Sequence, residues 1–225
     1  MYKGKSVSIL VPIFNQYQLI PQFLKALMES TVVPDNVIYF DNGLKNLLDY
    51  LKEDDYSFKF EIYQPEKNMG TAIAWNYMIK NTPEERIILN DDIFVHKNTI
   101  QNLIDTEGSL VACSKESTIN VFSCFLIRDS CIEKIGYFDE TISPHYAYFE
   151  DGDYARRILL ANLEITRADC SADHYNGGSQ TMKALPPSRL QEHHMKFNFA
   201  RNNFFRKWGG LPGEEVYLKP FNKDE

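Results

Sequence analysis

In the first 95 residues, short apolar runs alternate with stretches in which apolar residues recur every three or four positions, and few architectures accept that order. The run SVSILVPI, residues 6–13, is apolar at nearly every position, as a strand covered on both faces requires. After it, Ile20, Phe23, Leu24, Leu27 and Met28 fall at helical spacing. Residues 37–43 then read as a strand ending in a turn, 45–53 as a short helix, 58–64 as a strand, 70–81 as a helix and 86–92 as a fourth strand. Strands separated by helices predict parallel pairing through crossover connections, hence an α/β, doubly wound sheet.

Past residue 95 the order loosens. A helix is expected over 99–105, strands over 109–113 and 120–127, and a helix over 129–135 closed by Gly136. Acids at its start and a stripe of Tyr154, Ile158 and Ala161 mark another helix in 150–162. A last strand is expected over 163–170, a Gly-rich loop at HYNGGSQT, and a long terminal helix from about 188 to 208. No stretch is rich enough in Pro or Ser to be a linker, so one domain spanning 1–225 is expected.

The chemistry concentrates in ILNDDIFV, residues 88–95. An apolar strand there delivers Asn90, Asp91 and Asp92 to its carboxyl end, where open α/β sheets bind ligands. Adjacent buried acids are costly without a cation between them. A divalent ion carrying a diphosphate fits, because Mg²⁺ and Mn²⁺ take carboxylate and phosphate oxygens; the plain alternative is a pair of solvated loop acids. The net charge of −7 argues against nucleic-acid binding. Cys113, Cys124, Cys131 and Cys170 lack metal-site spacing and read as reduced thiols of a cytosolic protein. The amino terminus has no signal-peptide or membrane-span pattern. No Gly-rich dinucleotide fingerprint or P-loop occurs, which disfavours nicotinamide dehydrogenases and P-loop enzymes.

Taken in order, VSILVPIFN, VIYFDNG, NMGTAIAWN, ILNDD, GYFDE, FEDGDYARR, HYNGGS and RNNFFRKWGG resemble the family 2 glycosyltransferases over roughly residues 6–210. The resemblance implies the GT-A fold: a single Rossmann-like, mostly parallel sheet flanked by helices, with a carboxyl-terminal acceptor-side subregion. It implies a nucleotide-binding half of about 1–95 and an acceptor and catalytic half of about 96–225.

Residue by residue, the resemblance puts Pro12, Phe14 and Asn15 on the donor nucleotide through the first loop, and gives Asp41 the imide N–H of a uracil or thymine; a local Asx-type turn is the other reading of Asp41. Asn68 and Gly70 belong to the donor set, Gly70 opening a helix whose N–H groups attract phosphate. Asn76 reads as a structural bridge. Asp91 is implied on the ribose and Asp92 on the metal, with Asn90 standing where many relatives carry a first Asp. His174 is implied at the metal or diphosphate, with Gly177, Gly178 and Ser179 as a phosphate-facing loop. Asp151 matches the family's base, in a first helical turn that favours its ionised form, and Glu150 orients it or the acceptor. Asp153 reads as a partner of Arg156 or Arg157 along the helix, and the adjacent His193 and His194 as structural.

The expected activity is a Mn²⁺- or Mg²⁺-dependent, inverting transfer from a UDP- or dTDP-sugar to a glycan or glycoconjugate hydroxyl, in the cytoplasm. A nucleotidyltransferase or a non-catalytic sugar-nucleotide or glycan-binding module of the same fold are the alternatives. The aromatic and basic terminal helix is expected to pack on the domain rather than lie on a membrane.

Overall fold

The computed structural model describes residues 1–51, 56–83, 85–113, 120–177 and 186–223. Its strands are β1 (Val7–Ile13), β2 (Asn36–Asp41), β3 (Lys59–Tyr63), β4 (Glu85–Leu89), β5 (Ile93–Val95), β6 (Leu110–Cys113), β7 (Cys124–Ile127), β8 (Ile165–Ala168) and β9 (Ala172–His174). Its α-helices are α1 (Ile20–Met28), α2 (Thr71–Asn81), α3 (Thr99–Asp105), α4 (Asp129–Ile135), α5 (Glu150–Leu160) and α6 (Pro187–Trp208).

Seven strands form one sheet in the order β3-β2-β1-β4-β7-β6-β8. β1 pairs in parallel with β2 and β4, β2 with β3 and β6 with β8, while β7 runs antiparallel to both neighbours. The expected mostly parallel α/β sheet is therefore present, and both halves of the chain contribute to it. Two cores lie on its faces. Ile9, Val11 and Ile13 of β1 meet Phe23, Leu24 and Leu27 of α1 on one side, while Leu10 meets Ala72, Trp75 and Met78 of α2 on the other, following the two-residue period of a strand.

Four local expectations change. The helix expected over 45–53 is a single 3-10 turn, Leu47–Tyr50, in which only Leu47 is buried, too small an apolar face to support more. The strand expected over 120–127 begins only at Cys124, because the Asn120 side chain accepts the Phe122 N–H and folds 121–123 into a turn. β8 is not the last strand. His174, the first residue of the expected Gly-rich loop, instead ends β9, which pairs antiparallel with β5, and 175–177 form a 3-10 turn. Gly178 and Ser179 lie outside the described residues.

α6 packs through Ala200, Phe204 and Trp208. Asp153, with no exposure, anchors it by accepting from Trp208 Nε1 at 2.9 Å, Lys207 Nζ at 2.6 Å and Arg157 Nε at 2.9 Å. Arg156 instead donates to the Tyr217 carbonyl at 2.9 Å. Phe205, by contrast, is 51% exposed.

Candidate active site

The chain passes from β1 outward to β2 and β3, then returns to β4 on the other side of β1, so the sheet's topological switch lies between β1 and β4. Their carboxyl ends open into a cavity of about 420 Å³ lined by Pro12, Phe14, Asn68, Gly70, Asp91, Asp92 and His174 on the sheet side, and by Glu150, Asp151 and His193 opposite. Nine of the eleven residues expected at a site thus share one cavity. Asp41 and Asn15 do not line it.

Asp92 and His174 are 82 positions apart and are joined by the β5–β9 ribbon. Ile93 pairs with His174, and the Tyr175 N–H donates to the Asp92 carbonyl at 2.8 Å. His174 Nε2 then stands 4.0 Å from Asp92 Oδ1, too far for a hydrogen bond. Two donors each roughly 2.1 Å from one ion lie about 3 to 4 Å apart, so the pair fits a divalent cation completed by phosphate oxygens. Among the described residues no cluster of three or more His, Cys, Asp or Glu side chains could hold a metal ion.

Asp91 turns away from the pair and accepts the Phe14 N–H at 3.1 Å, tying the loop after β1 to the end of β4. Burial and the neighbouring Asp92 charge push its pKa up to about 7. That loop amide is therefore spent on Asp91 rather than offered to a ligand. Asp41 departs further from expectation. It is fully buried; Oδ1 accepts from the Tyr17 hydroxyl and from the N–H groups of Gly43 and Leu44 at 3.1 Å, and Oδ2 from Gln64 at 3.0 Å. A carboxylate so saturated builds the turn after β2, the Asx-type reading, instead of presenting an acceptor to a base. Asn15 accepts from Gln16 at 3.0 Å behind the same loop.

Gly70 has a different task from phosphate capture. Its φ is +87°, and a Cβ there would stand 2.5 Å from both N and O of Tyr146. Its N–H donates to Asn68 Oδ1 at 2.8 Å, and the Thr71 N–H donates to the Tyr146 carbonyl at 2.7 Å. The start of α2 is thus docked against the opposite cavity wall. Asn76 bridges to Phe138 through both its amide atoms, as a structural residue.

On that wall the chain reaches α5 through His145, Tyr148 and Phe149, at φ of 61°, 96° and 66°. Asp151 follows, holding Asn120 Nδ2 at 3.3 Å and the Gly152 N–H at 2.8 Å. Burial raises its pKa, outweighing the hydrogen bonds from the Gly152 N–H and Asn120 that favour the ionised form. Glu150 is 4% exposed with Oε2 unpartnered among the described residues, and burial together with the Asp151 charge takes its pKa to about 8.

Two cavity residues escape a reading from sequence. Asn120 falls inside an apparent strand and carries no motif. His193 lines the cavity and its Nδ1 lies 2.6 Å from the Tyr146 hydroxyl; adjacent helical residues point about 100° apart, so His193 faces inward where exposed His194 does not.

Residues 8–107 match the model of the family described as glycosyl transferase family 2. A curated relative, the processive diacylglycerol beta-glycosyltransferase of Mycoplasma genitalium, is 25% identical over 138 residues, covering 57% of this chain and 40% of that protein. The chain thus spans less than half the length of that relative. Among solved structures, the mannosyltransferase PcManGT from Pyrobaculum calidifontis in complex with GDP-Man and Mn²⁺ superposes with a TM-score of 0.64 at 16% identity, over 94% of this chain and 67% of that one. S. aureus TarS 1-349 in complex with UDP-GlcNAc gives 0.59 at 15% identity, over 89% and 72%. At such identities the superpositions establish the GT-A fold.

Proposed function

We propose, from the match of residues 8–107 to the glycosyl transferase family 2 model and from the GT-A fold, that the chain is a family 2 glycosyltransferase that moves a sugar with inversion from a UDP- or dTDP-sugar to a hydroxyl of a glycan or glycoconjugate. The observation that carries the reading is the placement of the Asp92–His174 pair and Asp151 around one cavity at the sheet's switch point. Residues of about 1–95 serve the nucleotide and those of about 96–225 the acceptor. Pro12, Phe14, Asn68 and Asp91 line the donor side, with Asp41 and Asn15 shaping the loops behind them.

Asp92 and His174 would hold a Mn²⁺ or Mg²⁺ ion, which would supply positive charge to offset that of the departing diphosphate. Asp151 takes the proton of the acceptor hydroxyl as its oxygen bonds to the anomeric carbon and the bond to the diphosphate oxygen breaks. Asn120 holds Asp151 toward the ionised form. Glu150, kept neutral by burial, orients the acceptor or Asp151.

The name of the Mycoplasma relative supports a β-linked product, which an α-linked donor gives by a single displacement, and favours a lipid-borne acceptor as a second reading. The test is turnover across UDP-, dTDP- and GDP-sugars with Mn²⁺ or with chelator, the product anomer being assigned by NMR. Release of UDP or dTDP with a β-linked product, abolished by chelator, is expected. Retention of configuration or chelator-insensitive transfer overturns the mechanism, and donor binding without turnover leaves a binding module.

A further inference from the structure

α6 has two faces of opposite character. Its inner face carries His193 to the cavity and buries Ala200, Phe204 and Trp208. Its outer face leaves Met195, Phe199 and Phe205 exposed, and the segment beyond, whose 3-10 turn Pro220–Asn222 packs along α6, exposes Val216, Leu218 and Phe221. These six side chains are 51% to 74% exposed. Apolar groups on a globular surface are ordinary when scattered, but here they collect on one helix and the strap beside it.

The charge of the same region is opposite to that of the whole. α6 carries Arg189, Lys196, Arg201 and Arg206 at least partly exposed against a single acid, Glu192, in a chain of net charge −7, while Lys207 is buried against Asp139 and Asp153. Arg201 and Arg206 lie exposed on α6 among the apolar residues, and Lys223 on the strap. Exposed Phe and Met interleaved with Arg and Lys on a helix that lies flat on a domain is the pattern of a surface seated at a lipid headgroup layer. A second copy of the chain is the poorer occupant, because a two-fold contact through this face brings its cationic side chains against themselves. No described helix is long and apolar enough to cross a membrane.

We propose that the outer face of α6 forms a docking surface for an anionic lipid bilayer. The bilayer then lies about one helix diameter, roughly 10 Å, from the wall that carries His193. Packing of α6 on the domain and contact with a membrane are therefore compatible, since they use different faces. The lipid contact stands independently of the sugar-transfer reading, which only gives meaning to the cavity it approaches.

The test is co-sedimentation of the full chain with phosphatidylcholine vesicles, with and without phosphatidylglycerol. Variants Arg201→Glu/Arg206→Glu and Phe199→Ser/Phe205→Ser are run in parallel, their folding verified by an unchanged unfolding midpoint. Binding is expected only with phosphatidylglycerol, weakened by salt, lowered roughly fivefold or more for each cation lost, and lowered by the Phe pair as well. Absence of binding, equal binding to neutral vesicles, or unchanged binding by both variants overturns the proposal. So does light scattering that reveals a dimer dissociated by the same Phe variant, which would give the face to a second copy.

Discussion

Replacing Glu150 by glutamine removes one titration and little else, because the amide has nearly the shape and charge of the protonated acid. Glu150 is 4% exposed, and burial beside Asp151 carries its pKa from 4.5 to about 8. A carboxyl that binds its proton more tightly in the folded chain contributes stability that is fully present below its unfolded pKa and lost as pH rises through its folded one. At about 1.4 kcal/mol per pH unit, the rise from 4.5 to about 8 makes wild type lose on the order of 5 kcal/mol relative to Glu150→Gln. That loss accrues between about pH 4 and pH 8, above which the two profiles flatten relative to each other. Urea unfolding across this range, with m-values compared to confirm two-state behaviour in both proteins, measures it directly. Profiles that stay parallel throughout, within about 1 kcal/mol, would show that Glu150 is not held neutral by the fold and would remove the physical basis of its assigned role.

Asn120→Ala withdraws the donor that favours the Asp151 carboxylate, so the acidic limb of the kcat/KM profile moves to higher pH while the alkaline side changes little; an unmoved limb excludes Asn120 as a positioning residue. Asp92→Asn and His174→Ala each abolish the Mn²⁺-dependent part of donor affinity in calorimetry without changing the melting temperature, and wild-type affinity that is equal with Mn²⁺ and with chelator removes the ion from the account. Gly70→Ala forces a Cβ to 2.5 Å from the Tyr146 backbone at a positive φ and destabilises by roughly 3 kcal/mol or more, read as a denaturant midpoint shift; a loss under about 1 kcal/mol contradicts the docking of α2.

The parallel half of the fold was legible because buried strands and amphipathic helices have different periods, and residues 1–95 keep them separate. The β5–β9 ribbon was not, since three-residue strands leave no period to detect, although Asp92 and His174 were both visible as types. What sequence omitted is the partner list. Asp41 and Asp151 are both acids beside a turn, yet one is saturated by Tyr17, Gly43, Leu44 and Gln64 while the other faces the cavity with Asn120. Likewise the first-turn position of Asp151 announces a helix dipole but says nothing of burial, which here raises its pKa.

Three residues in the five positions from His145 to Phe149 adopt left-handed backbone that non-glycine side chains resist, at on the order of 1 to 3 kcal/mol each. That segment is restrained from outside by the Thr71 amide on the Tyr146 carbonyl, by His193 at the Tyr146 hydroxyl, and by Phe197 against Tyr148 and Phe149. The turn behaves as a compressed spring held by clasps on α2 and α6, which gives the molecule an order of opening. Amides over 145–151 should exchange with solvent deuterium well before those of β1, β2 and β4, and releasing α6 should free the base-bearing turn in the same event. A ligand that spans the two cavity walls would act as a further clasp, so the protection it confers on this turn registers how far the two walls have been brought to bear on one molecule.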